Sequence, residues 1–149
     1  MALLSITKRK RRIMALAVIM GIIYGINEIM AFENVKEQKF GLTGQAAWDY
    51  YHVVMVAMFY VLFLLIHYLI YGKFTLRYAI LSISYTLITL IFVDISYMTI
   101  MGYDISTARW ESEIWSGVEL GWTFGIPNWM LISLIVIYVT FRYGRRLPS

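Results

Sequence analysis

Cysteine is absent from the 149-residue chain. Its absence excludes disulfides, iron–sulfur clusters, thiolate zinc sites and cysteine nucleophiles. Charged side chains are also scarce, at 15% of residues, whereas an ordinary soluble domain has about 25%. Because 60% of the residues are hydrophobic, the chain has too few polar groups to cover its own surface in water. The composition therefore predicts a protein embedded in lipid.

Recognisable catalytic motifs are missing as well. The sequence has no nucleophile elbow, phosphate-binding loop or HExxH zinc motif. It also has no internal repeat of the kind found in many transporters. No reaction is indicated, so whether the protein is an enzyme stays open at this point.

Four long apolar runs organise the chain into a single membrane domain, 1–149. A helix needs about 20 apolar residues to cross a hydrocarbon layer ~30 Å thick. The runs lie at 13–32, 46–71, 78–101 and 126–143, and Pro127 suits the first turn of the last helix. We expect an all-α integral membrane protein with four antiparallel transmembrane helices. A cleaved signal peptide is an alternative for the first run, but Glu28 would then lie beside the cut.

Lysine and arginine residues predict the orientation of these spans. Cytoplasmic loops of membrane proteins are enriched in both. We therefore expect the N-terminus, the second loop and the C-terminus to lie in the cytoplasm, and the basic balance to reflect topology and lipid headgroups rather than a nucleic-acid partner. The residues on this side are Lys8, Arg9, Lys10, Arg11, Arg12, Lys73, Arg77, Arg142, Arg145 and Arg146, against Lys36, Lys39 and Arg109 on the other.

The predicted outer side carries all nine acidic residues and all five tryptophans. In the outer segment 103–125, apolar residues recur at helical spacing, which is typical of a short amphipathic helix lying on the membrane surface. These residues are Trp110, Ile114, Trp115, Val118 and Trp122. We expect an interfacial anchor here; a lid over a site beneath it is the alternative.

Four ionisable residues form the candidate site. Counted from the span ends, Glu28, Asp49, His52 and Asp94 reach a similar depth, just inside the outer interface. Ionisable groups within a membrane are costly and are candidates for function. Three carboxylates and one imidazole suit a divalent metal such as iron, manganese or zinc. The Glu-x-x-His pattern of di-metal helix bundles has only one counterpart, Asp49-x-x-His52. Further polar residues that would support this layer are Glu33, Tyr60, His67 and Tyr97.

Three alternatives to a metal site remain open. The polar residues would in the simplest case only form hydrogen bonds between helices. A second alternative is an oligomeric proton or cation conductor, which requires a polar file linking Asp49 to His67 along the second helix. The third is a non-catalytic subunit or scaffold of a membrane complex. Gly21 and Gly25 form a GxxxG pair that lets another helix approach closely, and this face is the predicted contact for a partner or a second copy.

Several short motifs resemble those of a group of small four-span membrane proteins of prokaryotes. The motifs lie within 28–129 and comprise Glu28 with Glu33, Leu42-Thr43-Gly44, His67, Val93-Asp94 with Tyr97, and Ile126-Pro127-Asn128-Trp129. The resemblance implies the same four-span fold. It implies no reaction or ligand, because no function of that group is known.

Overall fold

The described part of the chain consists of four long helices. The structure is a computed structural model that describes residues 2–35, 45–100, 122–123 and 126–148, with side chains described for 10–27, 53–97, 99–100, 123, 126 and 128–148. The helices are α1 (Ala2–Val35), α2 (Gln45–Tyr71), α3 (Leu76–Ile100) and α4 (Asn128–Gly144). A two-residue antiparallel pair, β1 (Trp122–Thr123) and β2 (Ile126–Pro127), precedes α4. Apart from this pair, the predicted helical architecture is confirmed for the described residues.

The predicted spans fall within or close to these helices, with two corrections near α4. Pro127 lies in β2 directly before α4, not in its first turn, because the pairing of Thr123 with Ile126 keeps this segment extended. For the same reason, the end of the predicted surface helix at 122–123 is extended. The rest of that prediction, in 103–121 and 124–125, lies outside the described residues.

Two helices are long and apolar enough to cross a membrane. By length and composition these are Val53–Tyr71 in α2 and Leu76–Tyr97 in α3, and α4 is a shorter apolar helix. Many large apolar side chains on α2 are exposed, and Leu69 is 80% exposed. Such a surface is unfavourable in water, where exposing apolar area costs roughly 25 cal/mol per Å². These two helices therefore give the prediction of a membrane protein partial support.

α3 lies at the centre of the helix packing. Of its apolar window, 61% is buried inside the protein, against 22% for α2, and it packs against α1, α2 and α4. The buried face of α3 is rich in small polar side chains, which allow close approach of helices. Three of these hydroxyl groups form hydrogen bonds to other helices: Ser82 to His67 of α2, Ser84 to Thr140 of α4 and Thr89 to the Ala17 carbonyl of α1.

α1 and α3 run parallel and are in very close contact through two glycines. A Cβ added to Gly21 would lie 2.5 Å from the Thr89 carbonyl oxygen, and one added to Gly25 would lie 2.5 Å from that of Val93. One turn earlier, the Thr89 hydroxyl donates a hydrogen bond to the Ala17 carbonyl across the same interface, at 3.1 Å. The close approach predicted for this GxxxG pair is therefore present, but its partner is α3 of the same chain.

This packing changes one prediction. The Gly21/Gly25 face is buried against α3 and does not offer a surface to a second protein. Sequence spacing identified the close contact but not which helix makes it. Whether the protein has a partner stays a prediction, and such a partner would have to contact another face.

α2 and α3 form an antiparallel hairpin with a tight turn. Gly72 has a φ of +69°, and its N–H donates to the Tyr68 carbonyl at 2.7 Å. A glycine in this left-handed conformation is the usual end of a helix, since other residues are strained there. Beyond the turn, the Thr75 hydroxyl accepts a hydrogen bond from the Tyr78 N–H at 3.4 Å. Tyr71 and Tyr78 stack across the hairpin with ring centroids 4.6 Å apart.

Candidate functional site

The predicted metal-binding residues lie mostly outside the described side chains. Glu28 belongs to α1, and Asp49 and His52 belong to α2, but the side chains of these three and of Glu33 are not among those described. Asp94 on α3 is half-buried, and so is Tyr97 one turn later; each takes part in an interaction with the rest of the protein. The predicted convergence on a metal ion thus stays a prediction.

The helices that carry these residues meet beside Asp94. Val93 is 1% exposed and contacts Gly25 of α1 through its backbone. It also belongs to a cluster of buried residues with Met55 of α2, against which Trp129 of α4 packs. All four helices therefore come together at this level of the bundle. Among the residues with described side chains, however, no group of three or more His, Asp or Glu could hold a metal ion.

His67 occupies a second polar position, towards the other end of the hairpin. It is 2% exposed, and its Nδ1 lies 2.8 Å from the Phe63 carbonyl oxygen and 3.1 Å from Ser82 Oγ. A carbonyl can only accept, so we assign the proton to Nδ1, from which it is donated to the carbonyl and shared with the serine oxygen. His67 therefore ties α2 to α3.

Aromatic rings surround His67. Its ring stacks with Tyr78 at 5.2 Å and with Tyr71 at 6.1 Å between centroids, and Tyr85 lies 5.6 Å away. Tyr85 in turn contacts Phe141 of α4 edge-on at 5.4 Å. Ring pairs in these geometries each add about 0.5–1.5 kcal/mol beyond their buried area. The aromatic cluster therefore stabilises the junction of α2, α3 and α4 around the imidazole.

The inward face of α2 above His67 is apolar. Met55, Phe59 and Phe63 precede His67 at intervals of four residues and are all buried, and Phe59 contacts Tyr24 of α1 edge-on at 5.1 Å. Tyr60 is half-buried beside this face. Within the described part of α2, these three large apolar side chains therefore interrupt the polar file that a conductor would need between Asp49 and His67.

Ser82 is the partner of His67 that sequence reasoning missed. The spacing of residues around the hairpin turn predicts this contact. Tyr71 and Tyr78 face each other across the turn. His67 lies four residues before Tyr71, and Ser82 lies four residues after Tyr78. One helical turn separates the two pairs on both helices. Antiparallel pairing from a short turn thus predicts this contact once the turn is located.

Comparisons with known proteins leave the geometry as the only guide to function. No family model, no curated protein and no solved structure matches the chain.

Proposed function

We propose that this chain is a four-span integral membrane protein whose outer end binds a divalent metal ion or another cation. Support for four spans comes from α1 and α4, in addition to α2 and α3, which are long and apolar enough to cross a membrane. α1 has 34 residues, equivalent to about 51 Å at the standard rise, and its residues 13–32 are almost entirely apolar. α4 has 17 residues, or about 26 Å, which is close to the ~30 Å of a hydrocarbon core.

The proposed orientation has both termini in the cytoplasm. The start of α1, the α2–α3 turn and the end of α4 lie at one end of the bundle, since Ile13, Tyr78 and Phe141 pack in one cluster. Ten of the 13 basic residues belong to these segments. The positive-inside rule places such an end on the cytoplasmic side.

The observation that carries the metal-binding proposal is the position of Val93, which contacts Gly25 of α1 and lies in one buried cluster with Met55 of α2. Asp94 is the next residue on α3, Glu28 lies three residues after Gly25, and His52 lies three residues before Met55. Each of these polar residues thus lies within one helical turn of a residue that packs against another helix. This packing brings acidic positions from α1 and α3 and the imidazole position of α2 to one end of the bundle.

The register refines the depth of the proposed site. The α1–α3 contacts, continued for one turn, bring the backbone of Glu28 level with Ser96 and Tyr97. The α2–α3 hairpin, continued in the same way, brings His52 level with Tyr97. Asp94 then lies about 4.5 Å deeper, one turn towards the cytoplasm, and Asp49 about 4.5 Å further out. The four proposed ligands would therefore lie at three depths, with Asp94 the deepest and Asp49 the outermost, rather than in one layer.

Metal analysis of the purified protein tests this proposal. Elemental analysis after purification in detergent without added metal should find a bound divalent ion, and Asp94→Asn should lower its affinity by at least ~10-fold. Asp104→Asn is the matched control, because it makes the same chemical change outside the predicted layer and should retain the metal. Wild-type protein that stays metal-free after incubation with iron, manganese and zinc salts would refute the proposal, as would equal losses in the two variants.

The alternative functions stay predictions. A conductor has no continuous polar file within the described part of one chain, since Met55, Phe59 and Phe63 interrupt it; loss of ion flux in His67→Leu would be the evidence for it. A scaffold role predicts copurification of a partner from native membranes. Membership of the small four-span group that the motifs resemble is likewise a proposal.

A further inference from the structure

Three cations from three parts of the chain meet at the end of the bundle opposite the proposed metal site. Ile13 of α1 is buried against Tyr78 and Leu81 of α3, which brings Lys10, one turn earlier, to the start of α3. Gly144 packs against the Leu81 side chain, since a Cβ there would lie 3.0 Å from Leu81 Cδ2. Arg145 follows directly. Arg77 lies in the first turn of α3, directly before Tyr78, and so belongs to the same end of the bundle.

Arg77 is held in place but is incompletely hydrogen-bonded. Its Nη1 donates to the Leu147 carbonyl at 3.3 Å, which fixes the guanidinium against the C-terminal segment. Its Nε is buried and has no hydrogen-bond partner within the described part of the chain. A buried donor without a partner is unfavourable, and more so when it belongs to a charged group, so this position favours an acceptor from outside the chain.

Within the described part of the chain, the segments at this end of the bundle supply no side-chain carboxylate to balance these cations. The sequence has no Asp or Glu in 1–27, 50–93 or 120–149, and these ranges include the start of α1, the α2–α3 turn and the end of α4. Burial, and then the nearby charges of Arg77 and Arg145, lower the pKa of Lys10. An anion bound between the three would relieve the repulsion between these charges.

We propose that Lys10, Arg77 and Arg145 bind the phosphate of an anionic lipid headgroup at the cytoplasmic surface of the membrane. A phosphate oxygen is the acceptor that guanidinium groups recognise best. Apolar side chains beside the cations favour a lipid over free phosphate: Phe74 is 61% exposed, Leu76 64% and Tyr143 52%, and acyl chains would cover them. The inference rests on the proposed membrane embedding but not on the metal site.

Lipid binding to the detergent-solubilised full chain tests this site. Native mass spectrometry would count lipids bound during titration with phosphatidylglycerol or with zwitterionic phosphatidylcholine. We expect one phosphatidylglycerol to bind preferentially. Arg77→Gln, Lys10→Gln and Arg145→Gln should each weaken binding about fivefold, the effect of about 1 kcal/mol per cation near an anionic lipid. Arg142→Gln is the matched control, since Arg142 is exposed at the same end and its guanidinium instead contacts the Tyr138 hydroxyl.

Three outcomes would overturn the proposal. Equal losses in Arg142→Gln and the three site variants would mean diffuse attraction by all surface cations. Displacement of phosphatidylglycerol by excess inorganic phosphate would mean a site for free phosphate. Equal binding of the two lipids would mean that charge has no part in recognition. If Arg77→Gln fails to fold, Lys10→Gln and Arg145→Gln give the same test. A chain that is soluble without detergent would refute the proposed membrane embedding, on which this lipid site rests.

Discussion

Gly25→Ala probes the contact on which both the fold and the proposed metal site depend. The added methyl group would lie 2.5 Å from the Val93 carbonyl oxygen, 2.9 Å from Ser96 Cβ and 3.3 Å from the Val93 carbonyl carbon. An ordinary carbon–oxygen contact between helices is about 3.3–3.6 Å. Because two of the three atoms belong to the α3 backbone, no side-chain rotation relieves the overlap. α1 and α3 must therefore move apart by about 1 Å.

The expected cost follows from two opposing effects. Overpacking of this kind destabilises a protein by about 1–3 kcal/mol, whereas alanine favours a helix by up to about 1 kcal/mol relative to glycine. We expect Gly25→Ala to lower the free energy of unfolding by about 1–2 kcal/mol. Separation of α1 from α3 would also move Glu28 away from Asp94, so the metal content of the purified protein should fall with stability.

Gly144→Ala is the matched control for this experiment. Its added methyl group would meet the end of the Leu81 side chain at 3.0 Å, and that side chain can rotate away. We therefore expect a loss below about 1 kcal/mol and an unchanged metal content. Unfolding in mixed detergent micelles, followed by circular dichroism, measures both variants. Wild-type stability in Gly25→Ala would refute the close α1–α3 contact and the register derived from it.

Two further predictions concern the opposite end of the bundle. Ser82→Ala should lower the free energy of unfolding by only about 0.6–1 kcal/mol, because Nδ1 of His67 keeps its hydrogen bond to the Phe63 carbonyl. A loss above about 2 kcal/mol in the same micelle assay would contradict this and would make the hydrogen bond to Ser82 the stronger of the two. Lys10 should titrate below its ordinary pKa of 10.5, because burial and then the charges of Arg77 and Arg145 lower its pKa. The cost of charging Lys10 is then present in full below its lowered pKa and is relieved as the pH rises from there to 10.5, so stability increases with pH in that window. Arg77→Gln should raise the Lys10 pKa and narrow the pH window in which stability increases. NMR of labelled lysine measures this pKa, with the exposed Lys73 as the control. An unchanged Lys10 pKa would contradict the proximity of the two side chains.

The sequence alone was sufficient for the helices and for some of their local features. Long apolar runs predicted α1 to α4 because a helix in lipid satisfies its own backbone hydrogen bonds. The spacing of Gly21 and Gly25 predicted a close helix contact, which the structure shows between α1 and α3. The predicted beginning of α4 was wrong by two residues, since Thr123 and Ile126 pair through their backbones and hydropathy does not encode that pairing.

The predicted site could be carried only part of the way. Counting from the span ends put Glu28, Asp49, His52 and Asp94 at a similar depth, but depth along a helix does not determine rotation or neighbour. The register of α3 against α1 and α2 supplies the neighbouring helices, while the separation of Asp94 from His52 by about one turn belongs to the proposal. Convergence of the four side chains stays a prediction for the metal analysis to decide.

Composition and periodicity thus determined that this chain forms apolar helices and which end of each is charged, because those properties belong to single segments. Only the tertiary structure decided that α3 is central, that α1 rather than another protein covers its Thr89–Ser96 face, and that Lys10, Arg77 and Arg145 meet. The physical reason is that each of these contacts joins segments far apart in the chain. Close packing of small side chains depends on two segments at once. It therefore selects among helix arrangements that hydropathy alone does not distinguish.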